Sequence, residues 1–247
     1  MKVSTYTNID FLKRYENELK ARQLVGFKEI LKLLGPLKGK RILDIGCGPG
    51  NLTKAMADKA ATVIGVDKSE KWIDLCNKQY SRIKKLNFIR ADAVHMPFLK
   101  NDSLDAVVMN MVILNVATLR EVESIFKEVS RVLKRGGIFV FSDLHPACIM
   151  TPKVFPDRYQ KYSSKFSYFK DGSEYIAGIM LNKMKNQKIE FYNRHWTLET
   201  YTFLLDKLGL CVFRLTETHY EKDAPRLLQR YQIPEYLFFQ QTRILFR

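Results

Sequence analysis

The sequence predicts an α/β fold in which a parallel sheet is covered by helices on both faces. Three observations predict it. Apolar runs of strand length alternate with helix-like segments from residue 41 to residue 142. A glycine cluster, Gly46-Cys47-Gly48-Pro49-Gly50, joins the first run to the helix after it. An acidic residue, Asp67, ends the second run. Alternation of this kind needs crossover helices, and crossovers make neighbouring strands parallel.

Residues 8–34 carry apolar side chains near helical spacing and stop at Gly35-Pro36, which predicts one or two amphipathic helices. Strands are predicted at Arg41–Ile45, Thr62–Val66, Asn87–Arg90, Leu104–Asn110 and Ile138–Ser142. Helices are predicted between them at Asn51–Ala60, Glu70–Tyr80 and Leu119–Leu133, the last one stopped by Gly136-Gly137. After Pro146 the rhythm changes. Residues 147–195 are aromatic and basic, and Asp171-Gly172 and Asn186-Gln187 read as turns of an antiparallel excursion. Thr197 then caps a helix that Gly209 ends, and Leu210–Glu217 and Tyr236–Phe246 add two more strands. The expected organisation is a helical cap at 1–37, a core at 38–146 and 196–247, and an inserted subdomain at 147–195.

The chain has 247 residues, 46% of them hydrophobic, enough for a sizeable core. It shows neither a signal-peptide core nor an apolar run of spanning length, so the expectation is a cytoplasmic protein without a membrane partner. Cys47, Cys76, Cys148 and Cys211 have no paired metal or redox spacing, and no metal is expected. The net charge is +15. Residues 1–40 and 151–195 each hold nine Lys/Arg against four Asp/Glu, so the excess is concentrated in two segments. Such a surface attracts anionic substrates or RNA, and it also keeps a protein soluble.

The glycine cluster carries the strongest functional signal. Gly46 and Gly48 let the chain turn out of the first strand and approach a ligand closely, and Gly50 lets the following helix pack on the sheet. Asp67 lies 21 residues after Gly46, where a carboxylate can accept hydrogen bonds from ribose hydroxyls. A dinucleotide oxidoreductase would use similar logic. Its G-x-G-x-x-G pattern is absent, however, and Pro49 removes an amide where a pyrophosphate would need one.

Four segments together carry a resemblance: Asp44 to Gly50, Gly65-Val66-Asp67-Lys68-Ser69, Arg90-Ala91-Asp92-Ala93 with Met96-Pro97-Phe98, and Leu133-Lys134-Arg135-Gly136-Gly137. In this order the sequence resembles the class I, type-11 family of S-adenosylmethionine-dependent methyltransferases over about residues 38–145. The resemblance implies a Rossmann-like, seven-stranded, mostly parallel sheet with one antiparallel strand next to the edge. It implies S-adenosylmethionine as cofactor and S-adenosylhomocysteine as product. By position, Gly46, Cys47 and Gly48 would face the methionine part of the cofactor. Asp67 would hold the ribose, with Lys68 beside it among the cofactor-binding residues; Asp92 and Ala93 would sit at the adenine, and Asn110 and Met111 at the methionine end, with Asp44 acting from behind. N-terminal helices that close as a lid are also implied.

Methyl transfer from a sulfonium is an in-line displacement, which needs alignment and dryness more than acid–base help. His145, after the fifth strand, is the first candidate base, and His195, closing the aromatic insertion, is the second. A structural histidine is the alternative for each. The aromatic insertion favours a small aromatic or heterocyclic acceptor, an anionic one among the options. The alternative is tRNA or rRNA, using the basic and aromatic surface. A His-Pro after the fifth strand and the Arg-His-Trp-Thr segment resemble small-molecule members of the family. The sequence does not fix the oligomeric state.

Overall fold

The computed structural model describes residues 26–59, 62–150, 158–182, 187–218 and 236–244. Its strands are β1 (Arg41–Ile45), β2 (Thr62–Asp67), β3 (Leu86–Arg90), β4 (Leu104–Asn110), β5 (Leu133–Leu144), β6 (Arg158–Tyr162), β7 (Ser173–Asn182), β8 (Gln187–His195), β9 (Leu210–Glu217) and β10 (Tyr236–Arg243). Helix α1 covers residues 26–34. The other helices are α2 (Asn51–Ala57), α3 (Glu70–Gln79), α4 (Leu119–Val132), α5 (Pro146–Met150) and α6 (Leu198–Lys207).

Seven strands form one sheet in the order β3-β2-β1-β4-β5-β10-β9. The first five run parallel, and β10 is antiparallel to both of its neighbours, one place in from the edge. The sequence order turns back between β1 and β4. Ligands of open α/β sheets bind at such a reversal, beyond the carboxyl ends of the strands.

Alternate side chains of the central strands feed two cores. Leu43, Ile45, Val107, Met109, Phe139 and Phe141 face α4 and α6, whose Val122, Phe126, Tyr201 and Leu205 pack on them. Ile42, Val63, Val108 and Val140 face α1 and α2 through Ile30, Leu34, Leu52 and Met56. Each fully buried aliphatic side chain contributes roughly 1.5–3 kcal/mol. The described part of the N-terminal cap therefore packs on the sheet, and the Gln240 amide donates to the Leu33 carbonyl. The remainder of the expected lid, residues 1–25, lies outside the described residues.

Helix α4 is held at its start by Thr118, whose hydroxyl accepts from the Glu121 amide while the Glu121 carboxylate takes the Thr118 amide, a reciprocal capping box. Its end differs from expectation. The helix stops at Val132, and Gly136-Gly137 lies inside β5. Leu104 pairs with Leu133 and Ala106 already pairs with Ile138, so residues 134–137 are accommodated as a bulge. Gly136 has φ 71, which suits it to that site.

The residues after Pro146 form the expected antiparallel excursion, a three-stranded sheet β6-β7-β8. It rests on α5, where the Gln160 amide donates to the Cys148 carbonyl and the Tyr162 hydroxyl to that of Ile149. Thr197 caps α6 through the Thr200 amide, as expected, and Gly209 follows with φ 72. Among the described residues no helix is long and apolar enough to cross a membrane.

One buried group works against stability. Gln241 on β10 is fully buried, paired with Phe139 and Val212 of the neighbouring strands, and neither its amide oxygen nor its nitrogen has a hydrogen-bond partner among the described residues. An unsatisfied buried polar group costs about 1–3 kcal/mol. Gln241→Met keeps the length and removes both polar atoms. Urea unfolding should therefore show a higher midpoint at unchanged slope; an equal or lower midpoint would show that the amide is satisfied in solution.

Candidate cofactor and active site

Parallel pairing of Ile45 with Val66 brings the ends of β1 and β2 together. The amides of Gly46 and Cys47 both donate to the Val66 carbonyl, at 2.8 and 3.0 Å, and this starts the turn. Gly46, Gly48 and Gly50 all have positive φ, at 68, 50 and 78. Their surroundings separate their roles. A Cβ on Gly46 would lie 2.4 Å from Val112 Cγ2, and one on Gly50 would lie 2.9 Å from Tyr80 and 3.0 Å from Cys76 Sγ. A Cβ on Gly48 would meet none of the described residues within 4 Å. Gly48 is thus the glycine that faces open space. Gly46 is closed over by the loop after β4, and Gly50 by α3.

Asp67 fixes this loop. One carboxylate oxygen accepts from the Gly48 amide at 2.9 Å and the other from the Ser69 amide at 2.8 Å. Burial pushes its carboxyl up, and the amides of Ser69, Gly48 and Lys68 oppose that rise. Each oxygen keeps a lone pair for a ligand hydroxyl.

Asp44 lies behind the loop, buried, and accepts from the Thr53 hydroxyl of α2 at 2.6 Å. Burial, with the Asp67 charge nearby, raises its carboxyl to about 7 despite that bond. Cys47 is placed differently from expectation. Its side chain packs with Ile73, Cys76 and Phe88. Its bond with the Cys76 thiol and its burial keep it protonated.

Beyond β3, Asp92 makes an ion pair with Lys68 at 2.7 Å, and its other oxygen accepts from the Val94 amide at 3.2 Å. Burial opposes its ionisation, but Lys68 and the Val94 amide outweigh it and hold the carboxyl below its usual range. Asp92 therefore caps its own turn while keeping a charged face beside Lys68. Ala93 is partly buried against the sheet core. After β4, Asn110 accepts from the Ser142 hydroxyl at 2.7 Å. Met111 has φ 59 and is held there by its amide bond to the Ser142 carbonyl, with the Asn115 amide on its own carbonyl. A non-glycine residue in this conformation is strained and persists only where its surroundings impose it.

The two histidines are engaged. His145 Nδ1 accepts from the Ala147 amide at 3.0 Å, which places the proton on Nε2, 2.8 Å from Glu217 of β9. Neither nitrogen has a lone pair left for an acceptor proton. His195 is buried, and its Nε2 lies 3.0 Å from the Tyr168 carbonyl, so that nitrogen is the donor. Burial lowers its pKa, which keeps the ring neutral.

Sequence reasoning missed three parts. Val112 covers Gly46. The Trp196 indole donates to the Ile113 carbonyl at 3.2 Å, tying the insertion to the loop after β4. Asp143, two residues before His145, is buried at the end of β5, where it accepts from the Tyr201 hydroxyl and the Leu144 amide. A carboxyl directly after the apolar run Ile138–Phe141 and Ser142 is its signal in the sequence.

Asp44 and Asp143 are both raised to about 7 by burial. In the unfolded chain a carboxyl titrates near 4. Between about pH 4 and pH 7 the fold thus holds protons that the unfolded chain has lost, and stability falls as pH rises, levelling above 7. Guanidinium unfolding at pH 5.5 and pH 8 should show the higher stability at pH 5.5. Asp143→Asn should flatten part of that difference; an unchanged difference would mean that Asp143 is ionised in the fold.

Residues 43–141 match the family described as Methyltransferase domain. A demethylmenaquinone methyltransferase of Clavibacter sepedonicus is 31% identical over 130 residues, 53% of this chain and 51% of that protein. A fatty-acid O-methyltransferase of Mycolicibacterium smegmatis is 33% identical over 115 residues, 44% of this chain and 39% of that one. The chain thus spans about half, or less, of the length of these curated relatives. The crystal structure of an S-adenosylmethionine-dependent methyltransferase from Mesorhizobium loti superposes with a TM-score of 0.63, covering 90% of this chain and 97% of that chain at 22% identity. The segment match, the glycine loop and the strand order agree, and together they support a class I S-adenosylmethionine-dependent methyltransferase domain built around residues 43–141.

Proposed function

We propose that this chain transfers a methyl group from S-adenosylmethionine to a small aromatic or heterocyclic acceptor. The observation that carries the cofactor half is the loop at Gly48. Its missing side chain leaves open space, and its amide is fixed by the carboxylate that would receive a ribose. The residues present fit the cofactor: Gly48 leaves room for its methionine arm, Asp67 has lone pairs for a diol, and Asp92 can accept from the adenine amine. When bound, the cofactor supplies a methyl on a sulfonium, and the leaving thioether needs no acid.

The protein's task is alignment. Holding nucleophile and methyl in line contributes roughly 7–11 kcal/mol. Asn110 and Met111, fixed through Ser142, would set the methionine end. His145, with both nitrogens bonded, serves in this reading to hold the loop after β5 against β9. His195, neutral and donating from Nε2, retains a lone pair on Nδ1, and in this reading it is the candidate to take a proton if the acceptor must lose one. Support for a ring-shaped acceptor comes from the insertion, where the rings of Tyr162 and Phe166 lie 4.7 Å apart and those of Tyr168 and His195 4.9 Å apart. The relatives' names point to different acceptors, so the acceptor rests on this cluster alone.

Calorimetry with S-adenosylhomocysteine should give saturable binding. Asp67→Ala should weaken it by roughly 10–100-fold, from lost hydroxyl contacts and a loosened loop. Gly48→Ala should fold and still bind poorly, since its methyl enters the open space. Absence of heat with the folded protein, or tight NADH binding in its place, would overturn the reading.

A further inference from the structure

The loop from 163 to 172, between β6 and β7, holds a phenylalanine out in water. Phe169 is 90% exposed, more than any other large apolar side chain among the described residues. A single exposed apolar side chain is ordinary on a mobile loop. This loop is instead cross-braced. The Ser173 hydroxyl donates toward the carbonyls of Ser167 and Lys170 and accepts from the Ser167 amide, and the Ser167 hydroxyl accepts from the Phe169 amide. From the core side, His195 donates to the Tyr168 carbonyl. The rings then step outward, with His195 against Tyr168 at 4.9 Å and Tyr168 edge-on to Phe169 at 5.3 Å.

The exposed charged side chains within the 163–172 loop are both lysines. Lys165 and Lys170 are exposed and form no ion pair among the described residues. The loop's acidic residue, Asp171, is turned inward, accepting from the Thr197 amide and the Thr200 hydroxyl at the start of α6. The loop therefore exposes an apolar ring together with two ammonium groups that are unpaired among the described residues, on a chain of net charge +15. An aromatic wedge flanked by lysines matches the interface of an anionic leaflet, where the ring enters the headgroup layer and the ammonium groups remain in water. A nucleic acid fits less well. Phe169 and Tyr168 stand at 88° to one another and form no stacking platform, and nearby Arg194 is paired with Glu174 at 2.6 Å.

We infer that the 163–172 loop docks the protein on anionic membrane surfaces through Phe169, Lys165 and Lys170. This is adsorption, not spanning, and it holds whether or not the chain transfers methyl groups. Its consequence for catalysis is position. Trp196, next to the His195 that supports the loop, contacts the loop after β4, so docking would bring the methyl end of the cofactor site close to a leaflet.

Flotation of the full chain with phosphatidylcholine vesicles, with and without phosphatidylglycerol, tests this. Binding should require phosphatidylglycerol and fall as salt rises. Phe169→Ser and the double variant Lys165→Glu/Lys170→Glu should each lower binding by about tenfold or more. S-adenosylhomocysteine binding should stay unchanged, as evidence of an intact fold. Phe169→Trp should show a blue-shifted emission on anionic vesicles. The control Lys84→Glu/Lys85→Glu, at the opposite ends of the strands, should bind like the parent. The inference is overturned if the loop variants float as well as the parent, if the control loses as much as they do, or if single-stranded RNA binds through Phe169 and vesicles do not.

Discussion

The site depends on one carboxylate. Asp67 stands at the end of β2 only because β2 pairs in parallel with β1, and that pairing sets its two oxygens against the amides of Gly48 and Ser69. Without it, three residues of positive φ in a row of five would form a loop with little to choose one conformation over another. With it, the loop is anchored at both ends, by the Val66 carbonyl at Gly46 and by Asp67 at Gly48. The same carboxylate retains acceptor capacity toward solvent, so the group that shapes the loop also faces whatever the loop receives.

A second constraint reaches the site from the other side. Val112 closes over Gly46, Met111 is held at φ 59, and both belong to a loop whose Ile113 carbonyl is taken by Trp196 at the end of the insertion. The insertion is itself tied to α5 through Gln160 and Tyr162, and to α6 through Asp171. The carboxyl ends of β4 and β5 are thereby bridged by a sheet that sits outside the main one. A strained residue such as Met111 is tolerable only in a frame of this kind, because the neighbours rather than the residue's own preference choose its conformation.

Much of this architecture was legible from the sequence. Alternating apolar runs gave the parallel strands, and Thr197 and Gly209 marked both ends of α6, because these signals are local in the chain. The glycine loop and Asp67 were legible for the same reason: their meaning follows from spacing within one β-α-β unit. What escaped depends on partners far along the chain. Gly136-Gly137 reads as a helix stop, yet pairing with β4 draws Leu133 into β5 and turns the glycines into a bulge. Cys47 lies inside the cofactor motif, but its side chain goes to a small apolar cluster built by α3. His145 looked free because Glu217, which holds it, is 72 residues away. Asp143 meets Tyr201 across 58 residues. No window of sequence contains either pair.

The buried carboxyls also explain where negative charge resides in the site. Burial, with the Asp67 charge added to it, raises the cost of ionising Asp44, whose carboxyl is pushed up to about 7. Two like charges in a poorly solvated region favour the state in which one of them is neutral. The outcome is decided by donors. Asp44 has a single hydroxyl, from Thr53, whereas Asp67 has the amides of Gly48, Ser69 and Lys68. Amides aimed at a carboxylate stabilise its charged form, so the proton stays on Asp44 and the charge settles on Asp67. The ionised carboxylate is then the one at the open side of the loop, where hydroxyl donors of a ligand can reach it, and the neutral one is sealed behind. The arrangement of donors, more than the number of acids, gives the site its polarity.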